Sequence, residues 1–303
     1  MSMYAKDDIR SALRTATPTT TVDPSTPIRP AQLIEFPAGE PGEVSAGGSR
    51  TWFVRATNAV LAYTEARAGD LFPVRDGLDE YALLMYSESA PVRVTAGADE
   101  IQVNDEAMVI IPPGESVVKA LADGVLIRLF SAHASELLAR AVNAGAYEEP
   151  DVRVTPLGDA PGPVGGSRLR VHLLSDHPLS ADRFGRIFRT SSLMVNFVPE
   201  EVGPRNPQKL SPHFHDDFEQ LSFAVKGRFV HHIRYPWGPD STQWRPDEVL
   251  KTAAPSVCII PPPTVHTTRG IGELQQLLDI FAPPREDFGA SGWVLNAHEY
   301  PDA

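Results

Sequence analysis

The stretch SPHFHDDFEQLSFAVKG, residues 211–227, holds two histidines one residue apart. In an extended chain successive side chains alternate faces, so His213 and His215 point to one side, as a pair of imidazole ligands must. His266 follows a proline-rich turn, PPPTVH, and offers a third imidazole. A divalent ion held by neutral ligands keeps its full charge and acts as a Lewis acid. A fourth ligand is available from the adjacent pair Glu219-Gln220. If Gln220 faces inward, so do Ser222 and Ala224, which leave room for a substrate, while Leu221, Phe223 and Val225 pack the other way. Against this register, a carboxylate is the better ligand for Fe, Mn, Ni or Zn, and a β-bulge after Asp216-Asp217 would turn Glu219 inward instead.

Groups for proton transfer or substrate binding lie on later segments. His231 and His232 are adjacent in GRFVHHIRYPWG, so a regular strand turns one of them toward the interior, where an imidazole can move a proton near neutral pH. His232 shares a face with Arg234 and is the catalytic candidate. Arg269, three residues after His266, is a candidate carboxylate clamp. The bland alternative for each is a histidine that hydrogen-bonds a neighbouring strand or an arginine in an ordinary ion pair. Trp237 and Trp244 flank the segment YPWGPDSTQWRPDE, which suits either a lid or a subunit contact.

These residues sit in a chain of short β-rich runs punctuated by 29 prolines and 22 glycines. Two segments read as helical: DDIRSALRTA near the N-terminus, and SELLARAVNAG with Ser135 as N-cap and Gly145 as stop. The 303 residues are 42% apolar, enough for one to three domains. A net charge of −12 without a basic run argues against nucleic-acid or anionic-membrane partners and leaves small molecules. The N-terminal segment has no signal-peptide core and no apolar run approaches a membrane span, so a cytoplasmic protein is expected. The single cysteine, Cys258, lies in SVCIIPP and reads as a buried hydrophobe.

The chain repeats itself. GGSR occurs at 47–50 and 165–168; FVRATNAVLAY (53–63) resembles IFRTSSLMVNF (187–197); MVIIPPGESVVKALADGVLIRLFSA (108–132) resembles VCIIPPPTVHTTRGIGELQQLLDIFAP (257–283). Two similar β-domains are expected: an N-terminal arm over 1–35, a first barrel over 36–150 and a second over 151–303. In the first copy LFPVRDGLDEYALLMYS (71–87) has no histidine, and Val117 aligns with His266. Any metal site therefore belongs to the second copy alone.

HxH, then Glu-Gln, then P-x-x-x-x-H on a later strand resembles the metal motifs of the cupin superfamily, and the doubling resembles a bicupin, over roughly residues 36–300. The resemblance implies two tandem jelly-roll β-barrels, with His213, His215, His266 and Gln220 or Glu219 as ligands of one divalent transition metal per chain. Iron(II) is favoured, with Mn, Ni or Zn as alternatives. The family pattern sets a glycine seven positions after the ligand, and Gly227 is seven after Gln220. Pro207, Pro255, Pro263 and Gly270 depart from the family's usual loop residues. The resemblance further implies a dioxygenase of a small phenolic or keto acid. The alternatives are a non-redox isomerase or lyase on a sugar acid or polyol, and a non-enzymatic metal- or sugar-binding bicupin. A homo-oligomer, most simply a dimer, is expected.

Overall fold

The computed structural model describes residues 8–13, 22–159 and 161–301. Its architecture is mainly β, two jelly-roll barrels each built from a large and a small antiparallel sheet. In the first barrel a seven-stranded sheet runs Arg170–Leu173, Ala107–Ile111, Tyr81–Met85, Gly124–Ser131, Ala59–Ala66, Arg50–Arg55, Glu43–Val44. A four-stranded sheet completes it. In the second barrel the corresponding large sheet runs Gln32–Glu35, Ser256–Ile260, Gln220–Lys226, Leu274–Phe281, Met194–Phe197, Arg186–Arg189, with Glu201–Val202 also on Leu274–Phe281. Its small sheet is Glu248–Ala253, Arg228–Arg234, Val265–Gly270.

The two large sheets pack face to face. Period-two alternation sends Leu221, Phe223 and Val225 from one sheet, and Trp52, Leu84 and Leu129 from the other, into one shared apolar layer. The opposite faces line the two barrel interiors, and these differ. That of the first barrel is mainly apolar, with Phe72, Tyr81, Leu83, Met85 and Phe130 packed around the buried Arg128 and Ser116. Around Gln220 the second is polar, because Ser222, His231, His266 and Asp279 are buried in it.

The expected boundaries need correcting in two places. Gln32–Glu35, assigned to the N-terminal arm, is an edge strand of the second barrel, paired in register with Ser256–Ile260. Arg170–Leu173, assigned to the second copy, pairs with Ala107–Ile111 of the first. Each repeat lends one edge strand to the other, because the residues leading into a repeat lie against the sister's sheet.

The helical readings are also trimmed. Ile9–Ala12 is a single 3-10 turn capped by Asp8, and residues 7 and 14–16 of that reading lie outside the described residues. Ser135 opens a five-residue helix, Ser135–Ala139, rather than capping it, and Gly145 sits in a separate 3-10 turn. A second short helix, Glu286–Ala290, carries too little periodicity to be read from sequence. No helix among the described residues is long and apolar enough to cross a membrane.

Candidate metal centre

His213 and His266 face each other across an antiparallel bridge: His213 N–H donates to His266 O (3.0 Å) and His266 N–H to His213 O (2.8 Å). HFH is thus an extended segment pinned at one residue, and the regular strand begins only at Gln220. Ligand nitrogens of His213, His215 and His266 lie within 4.8 Å of one another. Burial holds all three imidazoles neutral: His213 and His215 fall well below the ordinary histidine value and His266 to about 4.

Their tautomers follow from the backbone. Nδ1 of His213 is 2.9 Å from Ser211 O, and Nδ1 of His266 is 2.9 Å from Thr264 O. A carbonyl oxygen only accepts, so each Nδ1 carries the proton and each Nε2 presents a lone pair. Gln220 is fixed in the same way. Its Nε2 donates to Asp279 Oδ1 (3.0 Å), which also accepts from Ser222 Oγ (2.8 Å), so its Oε1 is turned toward the imidazoles. Oε1 lies 2.9 Å from His215 Nε2 and 3.3 Å from His266 Nε2. At His266 two acceptors therefore face each other, which is unfavourable unless a cation lies between them. The donor set fits a divalent transition metal, with imidazole nitrogen and amide oxygen as ligands.

Glu219 points the other way. Its carboxylate accepts from Thr57 N–H (2.6 Å) and Tyr147 Oη (2.9 Å), both contributed by the first barrel's half of the chain. The repeat supplies an internal control. Tyr81 pairs with Ile111 as Gln220 pairs with Ile260, so Glu80 is the counterpart of Glu219. Glu80 accepts from Ser191 N–H (3.1 Å) and Tyr300 Oη (3.1 Å), the repeat equivalents of Thr57 and Tyr147. The barrel with no histidine cluster thus makes the same carboxylate contacts, which marks them as a clamp between barrels.

Different residues fill the equivalent positions of the first barrel in the same register. Tyr81 occupies the place of Gln220, stacks on Phe130 (4.8 Å between centroids) and meets Ser116 Oγ at 3.0 Å. Val117, expected to stand for His266, is turned out of the barrel; Ser116 is the inward residue, because the turn before His266 is one residue longer. Arg128 occupies the place of Asp279, since Leu83 pairs with Arg128 as Ser222 pairs with Asp279.

The catalytic candidates need correction. His231, not His232, faces the interior, sharing its strand face with Phe229 and Ile233. Its Nδ1 is 2.9 Å from Thr268 Oγ1, and burial pushes its pKa to about 4. His232 takes the opposite face with Arg234, which is exposed and paired with Asp247. Arg269 does not line the metal cavity, whereas Thr268 beside it does. The strand register set both outcomes, and an adjacent pair cannot reveal its own parity.

The cavity beside the imidazoles has a volume of about 110 Å³ and is lined by residues that sequence reasoning passed over, notably Arg10, Arg205, Ser211 and Asp279. Of these only Asp279 left a readable signal, a lone acid in the apolar strand run LLDIF. Trp237 and Trp244 stack at 4.2 Å and line a different cavity of about 610 Å³ with residues 22–28, so the insertion does not cover the metal cavity. Cys258 is buried and its thiol is pushed up to about 12, as suits an inert core residue.

No family model matches the chain, and no curated protein matches its sequence. Solved structures do. A Lactobacillus farciminis oxalate decarboxylase in complex with formate aligns at TM-score 0.53 and 15% identity, covering 80% of this chain and 83% of that one. A Bacillus subtilis oxalate decarboxylase whose Mn(II) centres have been characterised aligns at TM-score 0.55 and 14% identity, covering 88% and 79%. Identities this low speak to fold, and the shared fold spans both barrels. The chain accordingly has the two-barrel fold seen in these oxalate decarboxylases.

Proposed function

We propose that the protein is a metal-dependent enzyme acting on a small anionic organic acid, with His213, His215, His266 and Gln220 holding one divalent ion. The observation that carries this reading is the convergence of lone pairs at His266 Nε2 and Gln220 Oε1, 3.3 Å apart, beside a cavity that Arg10 and Arg205 also line. Bound there, a divalent ion supplies Lewis acidity and, as Fe(II), redox chemistry with dioxygen. The chain's own residues supply the rest. Asp279 orients the Gln220 amide through one hydrogen bond, the Ser211 and Thr264 carbonyls hold the imidazole tautomers, and the cationic wall draws a carboxylate in.

Dioxygenase chemistry on a short keto acid is the reading we favour. Asp279 is committed to Gln220 and Ser222, and His231 is far from its neutral-pH range, which leaves few groups for protein-driven acid–base catalysis. A cavity of about 110 Å³ suits a short acid better than a phenolic one. A redox-neutral lyase is the second reading, supported by the likeness to oxalate decarboxylases and by the buried Asp279 carboxyl, whose pKa burial raises. Anaerobic purification with elemental analysis, then screening of short keto and dicarboxylic acids with and without oxygen, separates them. Bound iron with oxygen uptake supports the first. Manganese, nickel or zinc with turnover lacking oxygen uptake supports the second, and a wild-type protein that binds no transition metal refutes both.

A further inference from the structure

Of residues 8–13, Arg10 lines the metal cavity. Arg10 reaches it from the 3-10 turn Ile9–Ala12, its guanidinium 4.3 Å over the Phe184 ring. Its side chain forks onto the Asp8 carboxylate, Nε to Oδ1 at 2.9 Å and Nη2 to Oδ2 at 2.7 Å. Ser211, two residues before His213, ties this pair to the body of the protein. Its Oγ accepts from Arg10 Nη2 (2.6 Å) and Arg205 Nη2 (2.8 Å) and donates to Asp8 Oδ2 (3.1 Å). Arg10 and the Ser211 hydroxyl thus both donate to one carboxylate, Arg205 donates to the same serine, and Arg10, Arg205 and Ser211 all line the metal cavity.

We propose that residues 8–13 form a lid whose Asp8 carboxylate stands in for the substrate's, and that Arg10, Ser211 and Arg205 are the groups that bind a substrate carboxylate. The proposal rests on the small-acid reading above and gives it a recognition site. Exchange of one carboxylate for another on the same donors leaves the local charge unchanged and requires no new buried group to be satisfied. The Asp8–Arg10 pair is local in sequence, and the turn's apolar attachment is Leu13, which packs against the cluster around Ile187 and Phe288, while Ile9 is exposed. A short segment whose apolar hold, among the described side chains, is Leu13 belongs to the low-stability end of a fold, where lids are found. Arg205 is anchored by its other nitrogen to Thr268 O (2.8 Å), so it stays in place as the turn moves.

The test is calorimetric titration of acetate and malonate into the full chain, both Mn(II)-loaded and metal-free, at low and moderate salt. Asp8→Ala removes the internal competitor and is expected to tighten carboxylate binding. Arg10→Ala is expected to weaken it by about 10- to 100-fold, the size of one or two charge-assisted hydrogen bonds. Hydrogen exchange at residues 8–13 should rise when malonate is added to the wild type and be high from the outset in Arg10→Ala. Unchanged affinity in both variants, or tighter binding in Arg10→Ala, overturns the proposal. Loss of metal binding in the wild type with the variant effects preserved in the metal-free protein would instead sink the metal-centre reading and leave the carboxylate site standing.

Discussion

Glu219→Gln is expected to lower stability without lowering metal content, and its repeat counterpart Glu80→Gln should do the same. Glu219 is 4% exposed and accepts from Thr57 N–H and Tyr147 Oη. A carboxamide keeps one acceptor oxygen but turns a donor toward one of these groups. Tyr147 can rotate its hydroxyl to accept from that donor, whereas the Thr57 N–H cannot. The expected loss is therefore about one hydrogen bond to a charged group, ~1–3 kcal/mol. In a chain of this size that corresponds to a fall in Tm of roughly 2–10 °C. Glu80 accepts from Ser191, Tyr300 and Arg170 Nη1, so its amide variant should fall by at least as much. Gln220→Ala should differ in the metal readout, weakening metal retention about 10- to 100-fold or more, and it also costs the metal-free protein the hydrogen bond to the buried Asp279 carboxylate. Thermal denaturation of metal-free samples, paired with elemental analysis after dialysis against a weak chelator, reads both quantities. If Glu219→Gln stripped the metal while Gln220→Ala kept it, the orientation argument from Asp279 and from the repeat would be refuted.

Elemental analysis should give one transition-metal ion per chain, lost in the His213→Ala/His215→Ala double variant; two ions per chain, or an ion surviving in that variant, would contradict the placement of the metal in the second barrel alone. Metal-free protein should lose stability as pH falls from about 6.5 to about 4. The folded His266 stays neutral down to about 4 while the unfolded chain takes up its proton near 6.5, a linkage of about 3 kcal/mol for this one group, and the metal-loaded protein should shed its ion in the same direction. Denaturant titrations at stepped pH check this, and a flat profile would refute it. Sedimentation at micromolar concentration should show a homodimer; a monomer would contradict that expectation.

The period-two arithmetic of residues 213–227 made the site's near side readable. It assigned Gln220, Ser222 and Ala224 to the interior and Leu221, Phe223 and Val225 to the outer layer, and Gly227 does turn the chain with φ +89° where a Cβ would lie 2.3 Å from Leu274 O. The far side was unreadable for a physical reason. Glu219 finds its partners 162 and 72 residues away in sequence, and no local pattern announces such a contact. The His231-His232 choice depended on where the strand enters the sheet, which one extra residue shifts. The same one-residue slip misassigned Val117 in place of Ser116. Arg10 and Arg205 come from irregular segments, where side-chain direction has no period to reveal it.

The exchanged edge strands make the barrels inseparable in a particular sense. Cutting the chain near residue 150 would remove Gln32–Glu35 from the sheet that carries Gln220 and Arg170–Leu173 from the sheet that carries Tyr81. Each fragment would then present a row of unpaired backbone donors and acceptors beside an uncovered apolar face, the combination that templates edge-to-edge association. The barrel that lacks the histidine cluster is thus a structural cofactor for the other, supplying its outermost strand and, through Thr57 and Tyr147, the anchor of the residue next to Gln220. The first barrel performs those duties without a histidine cluster, so deleting the second barrel's ligands and removing the first barrel are very different events: one silences a site, the other unmakes the fold around it.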